Sequence, residues 1–142
     1  MTTPASFPAA TRDAQSARFF DALRDGVLLL RRCVPHGHLS APETLLCTEC
    51  ASPSLDWAPA CGAGRVVTWA APYTRPDESG IARVSAVVGI VELQEGPWLR
   101  TRLLPADTAR MRSGAAVILE IAETAGEPVY AFRLAGEDGP AC

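Results

Sequence analysis

The spacing of apolar and polar positions changes character along the chain. Residues 1–14 are rich in Pro, Ala, Ser and Thr, carry no periodicity and read as a flexible arm. From Gln15 to Arg24 the sequence QSARFFDALR gathers Phe19, Phe20 and Leu23 on one side and turns Arg18 and Asp21 elsewhere, which predicts a helix that stops at Gly26. VLLLRRC, Val27 to Cys33, follows as a short apolar strand, and ASPSLDWAPACGAG, residues 51–64, reads as a turn-rich connector. Beyond it the period is that of strands. The candidates are Gly64 to Arg75, Arg83 to Leu93, Pro97 to Leu104, Ala115 to Glu123 and Pro128 to Ala135. The second is apolar on both faces and is expected to lie centrally, Glu95-Gly96 suits a hairpin turn, and PADTARMRSG has room for one helical turn.

Five strands with a small helical element after the third is the pattern of a small Greek-key barrel of the OB type. The expected fold is mainly β: an N-terminal helix, a rubredoxin-like zinc ribbon read from the pairs Cys33-x2-His36 and Cys47-x2-Cys50, then a five-stranded OB-fold barrel. The expected divisions are an arm at 1–14, helix and ribbon at 15–60, the barrel at 61–136 and a loose tail at 137–142.

Composition narrows the function. With 142 residues, 48% hydrophobic and 20% charged, the chain suits one domain or two very small ones. The longest apolar runs fall short of a membrane span, and MTTPASFPAATRDAQ lacks a basic start followed by an apolar block. No secretory signal or membrane association is expected, and the location is expected to be cytoplasmic. All 13 cationic residues are Arg and the net charge is −3, which weighs against nucleic-acid binding, since that rests on phosphate contacts.

The candidate chemistry lies in CVPHGHLSAPETLLCTEC, residues 33–50. Cys33-x2-His36 and Cys47-x2-Cys50 each suit a tight turn that aims two soft donors at one ion, and together they form a tetrahedral set for zinc. Such a closed set leaves no position for substrate, so the expected role is structural. Gly37 can adopt the positive φ that such a turn needs, whereas Ala51 stands where a Gly would be more comfortable. His38 is read as a surface residue, with substitution for His36 as the alternative. Cys61 is expected to pack as a small apolar group.

The order of FFDALRDG, LLLRRC, the ribbon, GAGRVVTWAAPYTRP, VVGIVELQEG and RSGAAVILEIAE resembles the zinc-ribbon plus OB-fold proteins of bacteria and archaea catalogued as domain of unknown function family 35. The resemblance covers residues 16–135. It implies an accessory subunit that assembles with a thiolase-superfamily enzyme (a thiolase, an aldolase or an acyltransferase) acting on acyl-CoA, or alternatively with an enoyl-CoA hydratase. It also implies that Cys33, His36, Cys47 and Cys50 occupy the ribbon ligand positions, His36 departing from the commoner Cys.

An independent catalytic set is not expected. Both histidines lie inside the ribbon, and no nucleophile elbow, P-loop or dinucleotide fingerprint is present. Strand alternation aims Trp98, Arg100 and Arg102 to one side. That face suits the adenine and phosphates of coenzyme A esters, or single-stranded nucleic acid, and the plainer reading is a solvated face with a packed Trp. Tyr73 and Arg75, ahead of the loop 76–80, are secondary candidates for contact with a partner or CoA.

Overall fold

The computed structural model describes residues 7–136. The expected loose tail and the first six residues of the expected arm lie outside the described residues. Helix α1 spans Ala17–Arg24 and is followed by strands β1 (Leu29–Cys33), β2 (Leu39–Ser40) and β3 (Leu55–Pro59). Then come β4 (Ala63–Ala70), β5 (Val87–Leu93), β6 (Trp98–Leu104), a 3-10 turn at Thr108–Arg110, β7 (Ala116–Ala122) and β8 (Val129–Leu134).

The strands form two units. A three-stranded sheet ordered β2-β1-β3 makes the ribbon, and a closed barrel ordered β4-β5-β6-β8-β7 makes the second unit. Within the barrel β6 and β8 run parallel and the other neighbours antiparallel, with β7 returning to β4 to close it. Closure removes both sheet edges. The structure is thus mainly β, with one N-terminal helix, a Cys/His ribbon and a five-stranded mixed barrel of the OB type.

Alternation supplies the barrel core. Val66, Val87, Val91, Leu93, Leu99, Leu103, Val117 and Phe132 point inward and are almost fully buried. One break in that alternation shapes β4. Val66 and Trp69, three residues apart, both contribute to the core, because the pairing with β5 shifts between Val66 and Thr68. The extra residue of such a bulge restores the inward direction at odd spacing. Gly89 on β5 sits against this bulge: a Cβ there would collide with the Thr68 carbonyl and crowd Leu103.

The ribbon is rooted in the same core. Leu28 and Leu30 are fully buried, and α1 packs Phe19 and Leu23 beside them, Phe19 meeting Tyr130 of β8 edge-on at 6.1 Å between centroids. Residues 7–14, read as flexible from composition, include a bridge from Ala10 to Glu127 in the β7–β8 turn. Arg12 joins Asp21 and Glu127, and Arg24 reaches the same Glu127, at 2.6–2.8 Å.

Two features depart from the sequence expectation. Residues 51–64 contain a strand, β3, whose Leu55-Asp56-Trp57 faces Cys33-Arg32-Arg31 in register. The first barrel strand ends at Ala70, not Arg75. Residues 72–83 instead form an exposed excursion, held by Thr74 N–H to Arg83 O, Ser85 N–H to Pro72 O and the Asp77 turn.

Candidate metal centre

The ribbon carries two turns of the same geometry. In the first, Gly37 N–H donates to Cys33 O at 2.7 Å and Cys33 N–H donates to His38 O at 2.8 Å. In the second, Ala51 N–H donates to Cys47 O at 2.8 Å and Cys47 N–H donates to Ser52 O at 2.9 Å. The residue four positions after the leading Cys has positive φ in both, +74° at Gly37 and +60° at Ala51. Among the described residues Ala51 alone adopts such a conformation without being glycine. A Cβ makes that region costly by roughly 1–2 kcal/mol.

These turns bring four soft donors together: the ligand atoms of Cys33, His38, Cys47 and Cys50 all lie within 4.8 Å of one another. Cys33 Sγ is 3.5 Å from Cys50 Sγ, and Cys47 Sγ is 3.4 Å from His38 Nδ1. With metal–sulfur bonds near ~2.3 Å, the edges of a tetrahedron are about 3.8 Å, so these separations fit a single four-coordinate ion. Burial raises the Cys47 thiol, but the backbone N–H groups of Cys50 and Glu49, together with His38, outweigh it and bring the pKa down to about 6. The thiolate, the ligating form, is therefore favoured at neutral pH.

The histidine in this cluster is His38, where the sequence reading put His36. The reason lies in the pairing of β1 with β2. Arg31 opposes Ser40 and Arg32 opposes Leu39, so Cys33 and His38 are the next facing pair, and facing residues project to the same side. His36 sits at the exposed apex of the turn, Nδ1 3.9 Å from Cys33 Sγ, its ring stacked on His38 at 5.4 Å. Cys61 is exposed rather than packed; its N–H donates to Glu95 Oε2 at 2.7 Å.

The other candidates lie on the barrel, apart from this cluster. Alternation on β6 holds: Trp98 and Arg100 are exposed, Arg102 is half-buried, and Leu99, Thr101 and Leu103 face the core. Trp98 donates its indole N–H to Glu92 on β5 at 2.8 Å, and the Arg102 guanidinium lies 4.7 Å over the Phe7 ring. Tyr73 and Arg75 are on the exposed excursion, Tyr73 bridging Val84. None of the described helices is long and apolar enough to cross a membrane.

Comparison with known proteins agrees with this architecture. The family described as ChsH2, C-terminal OB-fold domain, matches residues 57–122. A solved structure titled "Ltp2-ChsH2(DUF35) aldolase" superposes with a TM-score of 0.71 at 29% identity, covering 90% of this chain and 98% of that one. A DUF35 protein of unknown function from Sulfolobus solfataricus shares the fold at 12% identity and a TM-score of 0.59, with 86% of each chain covered. Among curated proteins, a "Probable enoyl-CoA hydratase alpha subunit" of Thermomonospora curvata is 30% identical over 126 residues. That alignment takes in 87% of this chain but spans only 38% of the relative's length. With the ribbon, the barrel order and these matches in agreement, the chain is similar to the OB-fold proteins of the DUF35 family, sharing their fold along nearly its whole length.

Proposed function

We propose that this chain is an accessory subunit, not catalytic alone, that assembles with a thiolase-superfamily enzyme acting on acyl-CoA, and that its ribbon holds a structural zinc through Cys33, His38, Cys47 and Cys50. The observation that carries the first part is the likeness, over nearly its full length, to the DUF35 chain of a solved aldolase. The second part rests on the donor set: three thiols and one imidazole at tetrahedral separations suit zinc, and a set closed by four protein ligands has no position left for substrate. When bound, the ion contributes structure, tying the two turns to each other; the surfaces that contact the partner belong to the protein. Exposed apolar side chains on the ribbon (Val34, Leu45 and Leu46) and on the barrel (Tyr73, Ile81 and Trp98) offer area for such a contact. Arg75, Arg100 and Arg102 add cationic groups that suit the partner or the phosphates of its CoA ester. A cytoplasmic location fits this role.

Co-expression with thiolase-superfamily enzymes of the same organism tests the proposal. The expected outcome is a complex that survives gel filtration and an activity that falls when this chain is omitted. Unchanged activity and no complex defeat the proposal.

A second reading, a subunit of an enoyl-CoA hydratase complex, is favoured by the Thermomonospora curvata relative. The same co-purification with the hydratase chain as bait separates the two. Nucleic-acid binding is disfavoured by the net charge of −3 and by Glu92, which places a carboxylate beside the Trp98 ring that would stack bases.

A further inference from the structure

A cleft of about 660 Å³ opens where α1, the ribbon and the barrel meet. That volume is in the range of small-molecule sites, ~300–1,000 Å³. Its walls carry four aromatic rings: Phe19 and Phe20 from α1, Trp57 from β3 and Tyr130 from β8. Arg31 also lines it, and Glu43 stands at the exposed rim.

The register of β1 on β3 leaves Arg31 without an acceptor. Arg32 opposes Asp56 and holds both its oxygens, at 3.0 and 2.7 Å. Arg31 opposes Trp57, and its guanidinium carbon stacks 4.2 Å from the ring centroid. Its Nε is buried with no hydrogen-bond partner, and its other nitrogens make no hydrogen bond or ion pair with any described residue. A guanidinium held over an indole ring, with its donors unanswered, is arranged for a planar anion. The second acid of the cleft, Asp13, is engaged by the N–H and hydroxyl of Ser16, both at 2.8 Å. The Tyr130 hydroxyl donates to Arg100 O at 3.2 Å, so its proton is already engaged. Burial, with the charge of Glu43 adding to it, raises the Tyr130 phenol to about 12 and keeps it neutral. The charge pattern is one cation among aromatic rings, with one free carboxylate at the mouth. A dianion such as a phosphate monoester meets repulsion from Glu43, whereas a single carboxylate whose far end carries a hydroxyl meets an acceptor there.

We propose that this cleft binds a small hydroxyaromatic monocarboxylate, its ring among Phe19, Trp57 and Tyr130, its carboxylate on Arg31 and its hydroxyl toward Glu43. The site is independent of which enzyme the chain assembles with, so its failure and the failure of the partner proposal are separate results.

The test titrates the full-length, metal-loaded chain with 4-hydroxyphenylacetate, followed by calorimetry and tryptophan fluorescence. Saturable binding is expected, about tenfold weaker for the neutral 4-hydroxyphenylacetamide and for Arg31→Gln, and unchanged for Arg32→Gln. Glu43→Ala is expected to erase the preference for 4-hydroxyphenylacetate over phenylacetate. If Arg31→Gln does not fold, the acid–amide comparison on the unaltered chain carries the same weight. No saturation by about 10 mM, or equal affinity for acid and amide, overturns the proposal. Undiminished binding by a folded Arg31→Gln overturns it as well.

Discussion

The barrel and the ribbon solve the same problem with different materials. The barrel closes on itself and fills its interior with aliphatic side chains and Phe132. Between residues 33 and 52 the ribbon buries only Cys33, Ser40 and Cys47, while Val34, Leu45 and Leu46 face outward. A segment with so little apolar interior cannot offset its chain entropy by hydrophobic burial. On the proposed function, its order comes from an ion held by the cluster Cys33, His38, Cys47 and Cys50. The molecule is therefore expected to have two stabilities, one set by metal and one by packing.

The largest effect belongs to the metal. Structural zinc contributes on the order of 10 kcal/mol to such units. Cys47→Ser or strong chelation is expected to release about one zinc per chain and unfold residues 33–52, while the barrel signals persist in a heteronuclear NMR spectrum. His38→Ala is expected to lose the ion and His36→Ala to keep it, read by metal analysis of the purified proteins. The reverse result would return the ligand role to His36. Loss of the barrel spectrum along with the ribbon would show that the two units fold as one.

The reciprocal change is Phe132→Ala, which empties the barrel of its largest fully buried side chain. A loss of about 3–5 kcal/mol is expected in denaturant unfolding. The zinc content of the folded fraction should stay at one per chain, because Cys33, His38, Cys47 and Cys50 are not part of the core cluster that Phe132 belongs to.

The same contrast explains what could be read from the sequence. The barrel was legible because alternation and burial share a period of two: β5, β6, β7 and β8 each fall within the segments expected for them. The 3-10 turn falls inside PADTARMRSG, the segment read as having room for one helical turn, and Asp107, whose side chain accepts from Ala109 N–H at 3.0 Å, caps it. The ribbon was legible as chemistry but not as geometry. Spacing along the chain marked the i+3 position, His36, whereas the β1–β2 pairing delivers His38 across the strand. A two-residue strand such as β2 leaves no periodic trace. β3 was hidden because Ser52-Pro53-Ser54 and Pro59 surround a stretch whose partner, β1, lies more than twenty residues earlier. Arg31 carried no motif at all; only register shows that it, and not Arg32, is left facing Trp57.

A smaller effect sits inside the ribbon itself, where the first turn has Gly37 and the second has Ala51 at the same left-handed position. Ala51→Gly relieves the Cβ strain but frees the unfolded chain, so the net gain is about 0.5–1 kcal/mol. Gly37→Ala is expected to cost a similar amount. Chelator competition reads both, since any change in ribbon stability appears as a change in apparent zinc affinity. A gain at Ala51 without the matching loss at Gly37 would mean that the two turns are not equivalent.

The smallest effect lies at an attachment that uses neither metal nor core. Arg12 and Arg24 hold the Glu127 carboxyl down to about 2, Arg12 contributing most, and Glu127 N–H donates to Ala10 O at 2.7 Å. A carboxyl lowered from its ordinary value of about 4.5 stabilises the native contact fully above that value. The contribution is lost as pH falls toward 2, where the carboxyl takes up its proton. The pairs are at the surface and salt screens them, so the loss should be local, with little change in global unfolding. Amide exchange at Glu127 is the direct reporter. Its protection should fall between about pH 4.5 and 2, and in Glu127→Gln it should already be low at neutral pH with no acid step. Because zinc ligands also protonate in acid, the experiment is cleanest on the chelated chain. There the attachment should persist at neutral pH even though residues 33–52 have unfolded, since its partners sit on α1 and the β7–β8 turn.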